Sequence, residues 1–144
     1  MDPARAAERA AELGGLFPQA TVTAHAPAEL GDIMPLADGL VHCTPIGMAA
    51  HPGLPLDIEL LEPRQWVADI VYRPIETQLV REARAKGCDV LDGGRMAVGQ
   101  AADAFHLITG READRERMRA HFLELIAVED AAASLTPELT KAGH

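Results

Sequence analysis

Three short stretches of this chain hold the residue types that could do chemistry. The first is His42-Cys43-Thr44-Pro45-Ile46-Gly47-Met48, where an apolar run breaks sharply into loop. The carboxyl end of a strand is where open α/β sheets bind ligands. Thr44 offers a hydroxyl there, and Gly47 would let a ligand approach the backbone closely. The second runs from Asp69 to Thr77 and presents Tyr72 at another strand end, with Pro74 forcing the exit. A tyrosine there can hydrogen-bond a substrate or simply cover a core edge. Glu76 and Thr77 suit the first turn of the next helix, and a buried Asp69 would need partners to offset its charge. The third runs from Asp92 to Phe105. Its Gly93-Gly94 pair permits close approach, and Gln100, one turn into a helix, could donate to and accept from a polyol. Each stretch alone is equally consistent with an ordinary turn or helix start.

The elements that must position these residues follow from pattern. Residues 2–13 read as a helix capped by Asp2, started by Pro3 and stopped by Gly14-Gly15. Ala20 to Ala24 reads as a short strand around Val22, and residues 27–36 as a brief helical turn. Gly39 to Cys43 reads as a buried parallel strand. Pro45, Gly47, Pro52, Gly53 and Pro55 make the following stretch a loop, after which Asp57 opens a short helix through Leu61. Trp66 to Tyr72 forms a second buried strand, 76–86 a helix closed by Gly87, and Cys88 to Leu91 a third strand. A helix then runs from about Met96 to Ile108. A last one, about 113–127, puts Met118, Phe122, Leu125 and Ile126 on one stripe. Strands alternating with helices predict an α/β domain with a parallel sheet over 1–127, followed by a polar, flexible tail at 128–144.

Composition excludes several classes. A net charge of −9 argues against a nucleic-acid surface, since that binding rests on Lys and Arg. No apolar run approaches a membrane span, and the N-terminus lacks a signal-peptide core. Cys43 and Cys88 have no metal-ligand spacing and read as small buried apolar residues of a reduced, cytoplasmic protein. No metal site is expected.

Taken together, the three stretches resemble the shikimate dehydrogenase family, including its quinate-active members. The family pattern runs N-A-T-P-x-G-M, then D-x-x-Y-x-P-x-x-T, then G-x-x-M-x-x-x-Q-A-x-x-A-F ending in T-G. Here Thr44–Met48 reads T-P-I-G-M, Asp69–Thr77 reads D-I-V-Y-R-P-I-E-T, and Gly93, Met96, Gln100, Phe105 and Thr109-Gly110 follow in order. Three linked motifs are far more specific than one. The resemblance implies an NAD- or NADP-dependent oxidoreductase that interconverts shikimate and 3-dehydroshikimate, or quinate and 3-dehydroquinate. Tyr72 and Gln100 would contact the polyol acid substrate. Thr44, Gly47, Ile70 and Gly93 would line the cofactor. His42-Cys43 stands where Asn-Ala is usual, and Arg95 where glycine is common.

The resemblance also implies a partial Rossmann-like parallel sheet of about four strands with flanking helices, lacking the first βαβ unit. The family's glycine-rich pyrophosphate turn and its Lys–Asp catalytic pair on an N-terminal domain have no match here. Lys86 and Lys141, at a helix end and in the tail, are poor general bases, so no catalytic residue is assigned. The chain is therefore expected to be a C-terminal fragment, inactive without that domain. The residue that sorts NADP from NAD aligns at or before Met1. With two central strands absent, residues 20–24 should either close onto the strand at 39–43 or leave the N-terminal segment mobile. A non-catalytic interaction module derived from the same fold is the alternative.

Overall fold

The computed structural model describes residues 2–134. Its centre is a three-stranded parallel sheet in the order β1-β2-β3, built from β1 (Gly39–His42), β2 (Trp66–Asp69) and β3 (Asp89–Leu91). The register places Leu40 beside Val67 and Val67 beside Val90, so one row crosses the sheet toward the core. Helix α3 (Gln78–Lys86) supplies the cover through Leu79 and Ala83, which join Met34, Leu61, Val67 and Cys88 in a buried cluster. Thr77 accepts from the Val80 amide to cap this helix, and Gly87, at φ 90°, closes it.

The opposite face of the sheet is open among the described residues. Val41, Ala68 and Leu91 share the next row, and Val41 and Leu91 are 55% and 48% exposed. Trp66 lies over Gly39 so closely that a Cβ there would sit 2.2 Å from the ring. The strands predicted as buried are thus buried on one side only. β2 is also shorter than predicted: the Asp69 side chain accepts from the Val71 amide at 3.0 Å and turns the backbone out of the ladder.

Buried Gln65 joins the approaches to β1 and β2. Its Nε2 donates to the carbonyls of Met34 and Ala37 at 2.6 and 2.9 Å, and its Oε1 accepts from Glu62 N at 2.8 Å. Pro27–Leu36 forms a helical run, α2 (Leu30–Ile33) between two 3-10 turns, as the proline-limited pattern suggested.

Helix α1 (Pro3–Leu16) is capped by Asp2 as expected, but it runs through Gly14-Gly15. Glycine there costs only about 1 kcal/mol of helix propensity, and Phe17 N reaches Leu13 O to end the last turn instead. The fourth strand does not form: residues 20–24 lie outside the sheet, and among the described residues nothing pairs with the outer edge of β1. Valine and threonine favour extended backbone, but a strand exists only with a hydrogen-bonded neighbour. Helix α4 (Gly93–Thr109) packs on α5 (Arg115–Ser134), and Gly110 caps α4 at φ 68°. Ile126 is buried and Met118 and Phe122 half-buried, while Leu125, at the stripe's margin, is 50% exposed. Helix α5 takes in 128–134 of the expected tail; residues 135–144 lie outside the described residues.

Candidate functional site

The carboxyl ends of β1 and β2 are joined by a buried polar network. His42, 4% exposed, places Nδ1 3.0 Å from Asp69 Oδ1 and Nε2 2.6 Å from Thr44 Oγ1. Asp69, 2% exposed, also accepts from Val71 N at 3.0 Å and from the Thr77 hydroxyl at 2.7 Å. Three donors thus offset the burial of its carboxylate. Thr77, besides capping α3, has its side chain 3.4 Å from where a Cβ on Gly47 would stand. Gly47 sits at φ 97° with its amide on His51 O at 2.7 Å, a backbone conformation that glycine permits. The T-P-I-G-M and D-I-V-Y-R-P-I-E-T stretches therefore meet as one unit.

This unit forms the wall of a recess of about 310 Å³. Thr44, Ile70 and Tyr72 line it together with Cys43, Pro45 and Met48. Three of the six residues singled out for binding are thereby brought together from two motifs. Ile70 and Tyr72 are partly open to solvent, and Thr44 is half-buried. Cys43 is exposed, not buried as expected, because the chain leaves the sheet there and turns its side chain to the recess. Cys88 is buried, and desolvation raises its thiol pKa above the ordinary range.

Gly47, Gly93 and Gln100 are not among the residues lining the recess. Gly93 is buried at the first position of α4, where a Cβ would stand 2.3 Å from Val71 O. Its glycine character has a packing reason: α4 starts directly against the end of β2. Gln100 is exposed on α4.

Two features escaped sequence reasoning. Asp92, 1% exposed, is the N-cap of α4 and accepts from Arg95 N at 2.9 Å. Arg84, Arg119 and Arg95 stand 3.1, 3.6 and 3.8 Å from its Oδ2. The cap was readable from an Asp ahead of a glycine pair; arginines from three helices were not. The second feature is the role of His42, seen in the sequence only as a departure from Asn. Among the described residues no group of three His, Cys, Asp or Glu could hold a metal. No described helix is long and apolar enough to cross a membrane.

An open parallel sheet with helices on its flank and polar side chains at the strand ends defines an α/β domain, Rossmann-like in architecture. Residues 94–121 match the family model described as the Shikimate 5'-dehydrogenase C-terminal domain. The chain is 75% identical over 132 residues to a shikimate dehydrogenase (NADP(+)) of Arthrobacter sp. (strain FB24), covering 92% of this chain and 45% of that protein. It is 50% identical over 125 residues to a quinate/shikimate dehydrogenase (NAD(+)) of Corynebacterium efficiens, covering 87% and 44%. Quinate dehydrogenase from Corynebacterium glutamicum, solved in complex with NAD, superposes at a TM-score of 0.77 with 46% identity, over 85% of this chain and 44% of that one. Shikimate 5-dehydrogenase from Thermus thermophilus, solved with NADP(H) and shikimate, gives 0.66 and 32%, over 83% and 43%. Sequence and fold together bear out the resemblance to the shikimate/quinate dehydrogenase family, in its C-terminal, nucleotide-binding-domain portion. The chain spans about 45% of the length of the shikimate dehydrogenases it is about three-quarters identical to.

Proposed function

We propose that this chain is the cofactor-side portion of a shikimate or quinate dehydrogenase, an NAD(P)-dependent oxidoreductase of a polyol acid working in the cytoplasm. The observation that carries this reading is the single recess formed by Thr44, Ile70 and Tyr72 at the ends of two parallel strands. Ile70, Pro45 and Met48 offer apolar surface to a flat ring, and Thr44, Tyr72 and Arg73 add polar groups to the lining. That combination suits a nicotinamide. Bound there, the dinucleotide supplies a hydride acceptor or donor at its ring. The residues of this chain hold and orient the ring, and Tyr72 and Gln100 contact the substrate polyol.

Proton transfer needs a base beside the reacting hydroxyl, and the described lysine does not offer one. Lys86 ends α3, with Nζ 3.1 Å from Glu59 and 3.4 Å from Leu61 O. The lysine–aspartate pair of the family would come from a further domain. This chain by itself is therefore expected to bind but not to turn over.

The test is a titration of the isotope-labelled chain with NAD+, NADP+ and shikimate, followed residue by residue in NMR spectra. Shifts concentrated at Thr44, Ile70 and Tyr72 support the reading. Shifts elsewhere, or none at millimolar ligand, overturn it. Turnover of shikimate by this chain alone would overturn the assignment of proton transfer to a further domain.

A further inference from the structure

The buried His42–Asp69 pair has no part in the reading above, yet it controls the one hydroxyl of the recess that comes from β1's end. Asp69 Oδ1 faces His42 Nδ1, and a carboxylate can only accept, so Nδ1 carries the ring proton. In the neutral ring Nε2 is then an acceptor, and the group it faces at 2.6 Å is the Thr44 hydroxyl. The Thr44 hydrogen is thereby committed to His42. One lone pair of Thr44 Oγ1 accepts from Ile46 N at 3.3 Å, which leaves the other uncommitted on a side chain that lines the recess. A serine or threonine hydroxyl ordinarily rotates to suit its partner. This one is fixed from behind by two residues that solvent barely reaches.

We propose that His42 is a positioning residue that makes Thr44 an obligate hydrogen-bond acceptor, selecting a ligand that presents an N–H donor, the primary carboxamide of nicotinamide. The proposal rests on the cofactor reading of the recess. It also carries an exclusion: with its hydrogen used, Thr44 does not itself donate to a carboxylate or phosphate, so an anion in this recess would rest on Arg73, which also lines it. Asp69 acts one step further back, by setting the tautomer of His42. Its remaining oxygen is taken by Thr77 at 2.7 Å, which ties the arrangement to the start of α3.

Two measurements test it. Long-range nitrogen–proton NMR of the labelled chain at neutral pH should show His42 with its proton on Nδ1; a proton on Nε2 overturns the arrangement whatever binds. Affinities are then compared for NAD+ and its 3-acetylpyridine analogue, which keeps the carbonyl but lacks the N–H donors. The chain should prefer NAD+ by roughly fivefold, the worth of one hydrogen bond. Thr44→Val should abolish the preference and His42→Leu should reduce it, the double variant behaving as Thr44→Val, and His42→Gln, which still offers an acceptor to Thr44, should recover part of what His42→Leu loses. Should His42→Leu fail to fold, the isosteric Thr44→Val and the hydroxyl-retaining Thr44→Ser carry the comparison. Equal affinity for the two dinucleotides overturns the proposal. Shikimate hydroxyls, instead of the dinucleotide, shifting Thr44 would overturn the carboxamide assignment. If neither dinucleotide binds, the cofactor reading and its ligand fall together, while the tautomer result separately decides the arrangement behind Thr44.

Discussion

Two glycines of the same helix separate close packing from free surface. Gly93 has no room for a methyl group, since Val71 O and Ile70 O would lie 2.3 and 2.9 Å from its Cβ. Gly93→Ala must push α4 off the end of β2 and should cost about 1–3 kcal/mol in denaturant unfolding. Gly99, whose nearest atom would be 3.9 Å away, has space, and Gly99→Ala should stabilise by roughly 0.4–1 kcal/mol through helix propensity. The cysteines differ in a similar way. Exposed Cys43 should react quickly with a thiol reagent at mildly alkaline pH. Cys88 should lag, because burial both shields it and favours its neutral form. The same shift has a sign for stability. The folded state holds the Cys88 proton more tightly than the unfolded chain, so its contribution is full below the ordinary thiol value and is lost as pH rises from there through the raised folded value. A denaturation series across alkaline pH in wild type and Cys88→Ala would show the slope shrinking in the variant.

At the scale of elements, Thr77 joins α3 to the strand ends by one hydroxyl, accepting from Val80 N at 3.1 Å and donating to Asp69. Thr77→Ala removes a helix cap and leaves one oxygen of a buried carboxylate unpaired. A loss of about 1–3 kcal/mol is expected, with Thr77→Ser keeping most of the stability. The two sides of the sheet make a second contrast. Val67, fully buried in the α3-covered row, should cost about 2–4 kcal/mol when cut to alanine, whereas Val41, 55% exposed, should cost under about 0.5. Equal costs would mean that both faces are covered in solution. The location of α3 and α4 was legible in Thr77, Gly87 and Gly110, because caps act through the nearest few residues. Which face of each strand α3 would cover was not, because the apolar residues run consecutively, as Leu40-Val41, Trp66-Val67-Ala68 and Val90-Leu91, without the alternation that marks one face.

Over the whole molecule, packing is uneven. No residue of α1 is buried, and Leu13, Leu16 and Phe17 stand exposed. Amides of α1 should therefore exchange with solvent far faster than those of β2 and α3, which border the core; equal protection would contradict this placement. The sequence alone determined the alternation of strands and helices, most of the helix ends, and the three linked stretches that gave the family resemblance. All of these are encoded within short windows: glycine and proline punctuation, capping side chains and apolar runs. Only the tertiary structure decided that Ala20–Ala24 would stay outside the sheet, since a strand needs a neighbour that local sequence cannot supply. It also decided that Thr44, Ile70 and Tyr72 share one recess while Gly93 packs behind it. Above all, it put His42 against Asp69, a contact between residues 27 positions apart that exists only because β1 and β2 lie parallel and in register.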